Sequence, residues 1–215
     1  MGKKSESFRS EKVKGAIKNL PYFCIENLTV IEKNKRYLRI LLCRLSKRGE
    51  VVSLKKGVYV SRQYLDIVEK SNSMNEYLEF ISNILHESSY LSLEYILGEN
   101  NILSEISNTF TLITRKKTKK FFNKLGFFNY HHIRESLFVG FEFYEKDGYL
   151  IKKASLAKAL FDFLYLRKNV LLHKTAIKEL RLNLVDFRKK DIKELKRYIK
   201  LEGSKKMADI FNCLF

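Results

Sequence analysis

Four leucines, Leu38, Leu41, Leu42 and Leu45, recur at i, i+3, i+4 and i+7 and form one helical stripe, while Arg36, Arg39, Cys43 and Lys47 fall on the opposite side. The spacing predicts a helix with a core face and a cationic face, ended at Gly49 with Lys47 and Arg48 in its last turn. Beyond it, Glu50 to Leu54 and Gly57 to Val60 are two short β-branched runs joined around Lys55 and Lys56, and Gly57 lets the chain reverse. Helix, strand, basic turn, strand is the ending of a winged helix-turn-helix, and that order points to duplex DNA as partner.

Upstream, Val13, Ala16, Ile17 and Leu20 repeat at helical spacing before Pro21, predicting a first helix from about Ser7 to Asn19; a short second helix fits Ile25 to Ile31. These apolar residues are the natural packing partners of the leucine stripe. A few residues carry the unit to Val68, and Glu69 to Met74 has a linker's composition, so the chain divides into a DNA-binding domain at 1–68 and a second domain at 75–215. There, Asn75 to His86 and Ser92 to Leu97 have helical patterns. Phe110 to Thr114, Phe127 to His131, Phe138 to Tyr144 and Tyr149 to Ile151 are aromatic and β-branched, with Asp147-Gly148 as a hairpin turn. Helical periodicity returns with Leu156, Ala159, Leu160, Phe163 and Leu164, and further helices are predicted at Lys174 to Leu184, Lys189 to Leu201 and Ser204 to Asn212. The fold class is α+β: an N-terminal winged helix-turn-helix, then a mixed α/β domain with a small sheet and a helical C-terminal third.

Charge sharpens this division. The formal net charge is +18, and residues 1–62 hold 16 Lys and Arg against 5 Asp and Glu, net +11. The electrostatic case for a polyanionic partner therefore rests on the N-terminal third. Between Lys33 and Arg62 there are ten basic residues and one acid, Glu50. Lys33, Asn34, Lys35 and Arg36 stand at the end of the recognition helix that enters a major groove first, with Arg36 suited to a guanine fork and Asn34 to an adenine. Arg39 and Lys47 suit phosphates, and Lys55 and Lys56 at the wing tip suit backbone or minor groove. A basic cluster in the second domain, Arg115, Lys116, Lys117, Lys119 and Lys120, is followed by Phe121, Phe122, Phe127, Phe128 and Tyr130. That mixture supports an alternative reading, an RNA-binding or RNA-modifying protein, although core packing explains the aromatics as well.

Other chemistry finds little footing. Cys24, Cys43 and Cys213 form no zinc pattern or disulfide framework, and His131 and His132, adjacent on a strand, point to opposite faces. No metal or cofactor is implied. There is no phosphate-binding loop, no His-Glu-x-x-His and no Gly-x-Ser-x-Gly; Gly203-Ser204 resembles the start of a nucleotidyltransferase motif but no paired acids follow. The reading is therefore non-enzymatic, with a DNA-binding domain fused to a nuclease as a third possibility. Lys158 and Asp162, at i and i+4, read as a surface ion pair worth roughly a few tenths of a kcal/mol. The opening residues Met1 to Glu11 lack the apolar stretch of a leader and no run reaches the length of a membrane span, so a cytoplasmic protein without membrane contact is expected.

Five segments carry a family resemblance: Leu45 to Val60 (LSKRGEVVSLKKGVYV), Tyr90 to Tyr95 (YLSLEY), Thr111 to Lys117 (TLITRKK), Leu125 to Ile133 (LGFFNYHHI) and Ala154 to Tyr165 (ASLAKALFDFLY). The chain resembles the AbiEi-family antitoxins, the regulatory halves of type IV, abortive-infection (phage-resistance) toxin–antitoxin pairs, from about residue 10 to 170. The resemblance implies a winged helix that represses its own operon at inverted repeats, and a C-terminal domain that counters a nucleotidyltransferase-type toxin without a stable complex. It also implies DNA recognition by Lys33, Lys35, Arg36 and Arg39, with Lys55 and Lys56 on the wing. Ala154 to Lys158 departs from the family pattern, which often has Pro and Glu before the Lys.

Overall fold

A computed structural model of the chain describes residues 2–104 and 109–215, with side chains described from Phe8 onward. Met1 and the side chains of residues 1–7, part of the opening segment judged leaderless above, lie outside the described residues. The described chain is mixed α and β, with ten α-helices, one 3₁₀ turn and two sheets of three and six strands. It separates into two compact units, Met1–Tyr77 with Phe122–Leu125, and Leu78–Phe121 with Gly126–Phe215.

The first unit runs α1 (Gly2–Ile17), β1 (Phe23–Cys24), α2 (Ile25–Leu28), α3 (Lys35–Lys47), β2 (Val51–Lys55), β3 (Val58–Ser61), α4 (Arg62–Lys70) and the first turn of α5 (Met74–Leu85). Leu38, Leu41, Leu42 and Leu45 of α3 are buried in one cluster with Val13, Ile17, Phe23, Leu28 and Val51. At about 1.5–3 kcal/mol for each fully buried leucine, the stripe is the main anchor of α3. Asn34 caps the helix, its side chain accepting from the Tyr37 amide at 3.0 Å. Strands β2 and β3 are antiparallel, with Lys55 opposite Val58, so the chain reverses at Lys56 and Gly57. Gly57 sits at φ +83°, which a side chain there would strain. β1 adds to the other side of β3, with Phe23 opposite Tyr59 and their rings stacked.

In this unit α1 runs Gly2–Ile17 where about Ser7 to Asn19 was expected, α2 ends at Leu28 where Ile31 was expected, and β1 and the linker differ as well. Two residues of β1 are too few to show a period, and the strand had no sequence signal. The expected linker at Glu69 to Met74 is shorter: Glu69 and Lys70 end α4, whose Leu65 and Val68 are buried and whose Arg62 pairs with Asp66 and Glu69. Ser71, Asn72 and Ser73 alone form the break, with Asn72 at φ +55°.

The second unit has a six-stranded mixed sheet in the order β6-β7-β5-β4-β9-β8. Its strands are β4 (Ser89–Leu91), β5 (Thr109–Thr114), β6 (Lys119–Asn123), β7 (Gly126–His132), β8 (Phe141–Lys146) and β9 (Tyr149–Ala154). β5/β7 and β4/β9 pair in parallel, β4/β5 and β8/β9 antiparallel. Helices α6 (Glu94–Glu99), α7 (Leu156–Arg167), α8 (Lys174–Glu179), α9 (Lys189–Glu202) and α10 (Lys205–Leu214) complete it, and α7 packs against α6, α9 and α10.

The differences from expectation have local causes. β4 is buried along its whole length and so lacks alternation. β6 reads Lys-Lys-Phe-Phe-Asn, in pairs without alternation, so it gives no strand period, and Lys119 and Lys120 lie on it. The strand expected from Phe138 begins at Phe141, because a 3₁₀ turn at Glu135–Leu137 and a left-handed Gly140 come first. A Cβ on Gly140 would stand 2.1 Å from the Tyr198 hydroxyl, so the close approach requires glycine. Helix α8 ends at Glu179 instead of Leu184, with Arg181 at φ +47°.

Candidate nucleic-acid interface

Because the leucines face inward, Lys35, Arg36, Arg39, Ile40, Cys43 and Lys47 of α3 are all exposed, as is Lys33 before it. Lys56 is exposed at the hairpin turn and Lys55 half-buried at the end of β2, which packs on α3. Among the described residues Lys33, Lys35, Arg36, Arg39, Lys47 and Lys56 make no ion pair.

Two other cations of the unit, Arg9 and Lys14, are engaged. Arg9 holds Glu32 at 2.6 Å and lies over the Tyr37 ring; Lys14 holds Glu50 at 2.9 Å. The Arg9 guanidinium and the Asn34 amide keep the Glu32 carboxyl below the usual carboxylate range, and the bond to Glu50 raises the Lys14 ammonium. Glu32 is held by Arg9, and Glu50 by Lys14 and Arg48, so neither carboxylate pairs with Lys35, Arg36, Arg39 or Lys47 of α3. Asn34 serves as the helix cap: its side-chain carbonyl oxygen accepts from Tyr37 N, and its backbone N–H donates to Glu32.

The basic cluster of the second unit is exposed from Arg115 to Lys120. Arg115 bonds Glu135 at 2.7 Å, and Lys119 lies 4.7 Å from the Phe121 ring centre. Phe128 and Tyr130 belong to the core, Phe128 stacked on Phe110 and the Tyr130 hydroxyl donating to Ser82 O. His131 is half-buried, which lowers its pKa, and the His132 ring faces the carbonyls of Arg115 and Lys116. No group of three or more His, Cys, Asp or Glu among the described residues is placed to hold a metal ion. Gly203 closes α9 in a left-handed conformation and Ser204 caps α10, so this Gly-Ser pair joins two helices.

Lys158 and Asp162 overturn the surface reading: both are fully buried, with Nζ 2.5 Å from Oδ1. Oδ2 accepts from the Tyr90 hydroxyl at 3.1 Å and the Ser92 hydroxyl at 2.8 Å. The ammonium is ringed by Phe161, Tyr198 and Tyr90, with Nζ 4.7, 5.5 and 5.8 Å from the ring centres. Burial pushes the Asp162 carboxyl and the Tyr90 hydroxyl up and the Lys158 ammonium down, against the mutual attraction of the pair. Tyr198 is pushed up to about 12 by burial and by donating to Glu194 at 2.5 Å. A signal for this was present: α7 is apolar on every side, so an i, i+4 charged pair on it has no polar face to occupy.

No helix among the described residues is long and apolar enough to cross a membrane. Compared with protein-family models and with curated proteins, the chain matches none.

Proposed function

We propose that residues 1–68 form a winged helix-turn-helix that binds operator duplex DNA, and that the chain is a cytoplasmic transcriptional autorepressor and antitoxin. The observation that carries the reading is the set of six cations without a carboxylate partner, five along α3 and its approach and one at the β2–β3 turn. Unpaired cations on a helix face and a hairpin tip are the two elements with which a winged helix meets phosphates and base edges. The helix order, the buried leucine stripe and the strand β1 beside the hairpin support the same reading.

The antitoxin role follows from the sequence resemblance: the second domain counters a nucleotidyltransferase-type toxin, without a stable complex. Gel shifts with the full chain test the first part. A duplex from upstream of its own operon shifts at lower protein concentration than a scrambled duplex, and equal affinity for both removes the repressor. Co-expression with a neighbouring nucleotidyltransferase frame tests the second. Growth is rescued by the full chain, and persistent toxicity removes the antitoxin.

A second reading, RNA contact through Arg115 to Lys120, draws on five exposed cations and the Lys119–Phe121 contact. It predicts that Lys119→Glu with Lys120→Glu abolishes RNA retention on filters while duplex DNA shifts persist.

A further inference from the structure

Ile40 is 45% exposed in the middle of the cationic face of α3. Single exposed apolar residues are ordinary, but this one has a particular setting. It lies on a row with Arg36 one turn before, exposed Cys43 one turn after and Lys47 beyond, following the i, i+4, i+7, i+11 spacing of one helix surface. The core face is complete without it, since the buried cluster takes Leu38, Leu41, Leu42 and Leu45. A β-branched residue is also a poorer helix former than the Lys or Arg that fill the rest of this face.

We propose that Ile40, with Cys43 beside it, reads the 5-methyl groups of thymines, so that each half-site carries A·T pairs under the middle of α3; this rests on the duplex-binding reading above. The side chain of Ile40 neither donates nor accepts a hydrogen bond. Set against a G·C pair it strips water from base-edge donors and acceptors and gives nothing back. A thymine presents a methyl group in the major groove, which an isoleucine covers without loss. Ile40 stands about 6 Å along the axis from Arg36 and Cys43 about 4.5 Å further, at 1.5 Å per residue. With base pairs about 3.4 Å apart, the apolar pair falls about two to three steps from the base that Arg36 reads. The face thus has a cationic entry, an apolar centre and a cationic exit.

The test uses the full chain on a duplex selected from a random library, with each thymine replaced in turn by deoxyuridine, which lacks only the methyl. Wild type loses about three- to tenfold in affinity at one or two thymines per half-site, the scale of one buried methyl group. Ile40→Ala binds the thymine and deoxyuridine duplexes equally. Because the side chain is exposed, this variant leaves the core intact. Selective binding with no deoxyuridine effect at any position overturns the proposal and leaves duplex recognition standing, as does a deoxyuridine effect that survives in Ile40→Ala. Failure to select any duplex overturns both.

Discussion

Helices α3 and α7 differ by one residue in length, 13 against 12, and use charge in opposite ways. α3 has one apolar stripe, so Lys35, Arg36, Arg39 and Lys47 stand exposed without a carboxylate partner. α7 is buried on all sides, so its Lys158 must take Asp162, and Asp162 must take Tyr90 and Ser92. The same residue type at helical spacing is thus left exposed and unpaired in one unit, where we propose that it binds, and is an internal staple in the other. What decides is the width of the apolar surface around it.

The sharpest break of that contrast is Asp162→Ala, which leaves Lys158 buried and unpaired. A loss of about 3–5 kcal/mol in urea unfolding is expected. Lys158→Met with Asp162→Leu loses less than the single change, because no charge is stranded, although Tyr90 and Ser92 lose their acceptor. A loss below about 1 kcal/mol for Asp162→Ala would return the pair to the surface class.

Arg36→Ala is the counterpart on α3. Stability should move by less than about 0.5 kcal/mol. Operator affinity should fall by about 1–3 kcal/mol with relaxed sequence preference, read by gel shift on operator and scrambled duplexes. Lys56→Ala should weaken both duplexes evenly and lower the salt slope by about 1. Equal, negligible losses for the two variants would remove the distinction between base-reading helix and phosphate-holding turn.

The smallest effect concerns acid stability. Burial of Glu202 raises its carboxyl pKa, but the bonds from Lys168 and Ser204 outweigh this and leave it below 4.5. The folded state therefore binds fewer protons than the unfolded state in that range. The contribution is present above 4.5 and is lost as pH falls through the folded value. Glu202→Gln should flatten the acid limb of the stability profile, measured by urea unfolding between pH 5 and 3, and an unchanged limb would assign it to other carboxylates.

Where a period runs long enough to repeat, the sequence was legible: the leucine stripe, the hairpin with its Gly57 turn and the apolar α7 are examples. Short or doubly buried elements were not, because two residues of β1 and three of β4 contain no alternation to read. At the candidate interface the exposed cations follow from the stripe, since fixing the buried side fixes the free one. The capping role of Asn34 was open to sequence reading, because Asn directly before a periodic run favours the cap. Ile40, apolar among arginines, carries no signal in the charge pattern. The i, i+4 spacing of Lys158 and Asp162 marks a surface pair only on a helix with a polar face, and α7 has none.

The central claim is that the unpaired cations of α3 and the β2–β3 turn lie against phosphates. The direct measurement is the dependence of operator affinity on salt for the full chain. With about five or six phosphates neutralised, log K against log salt should fall with a slope between about −4 and −6. A slope shallower than about −2, or no duplex binding at low salt, would contradict the account.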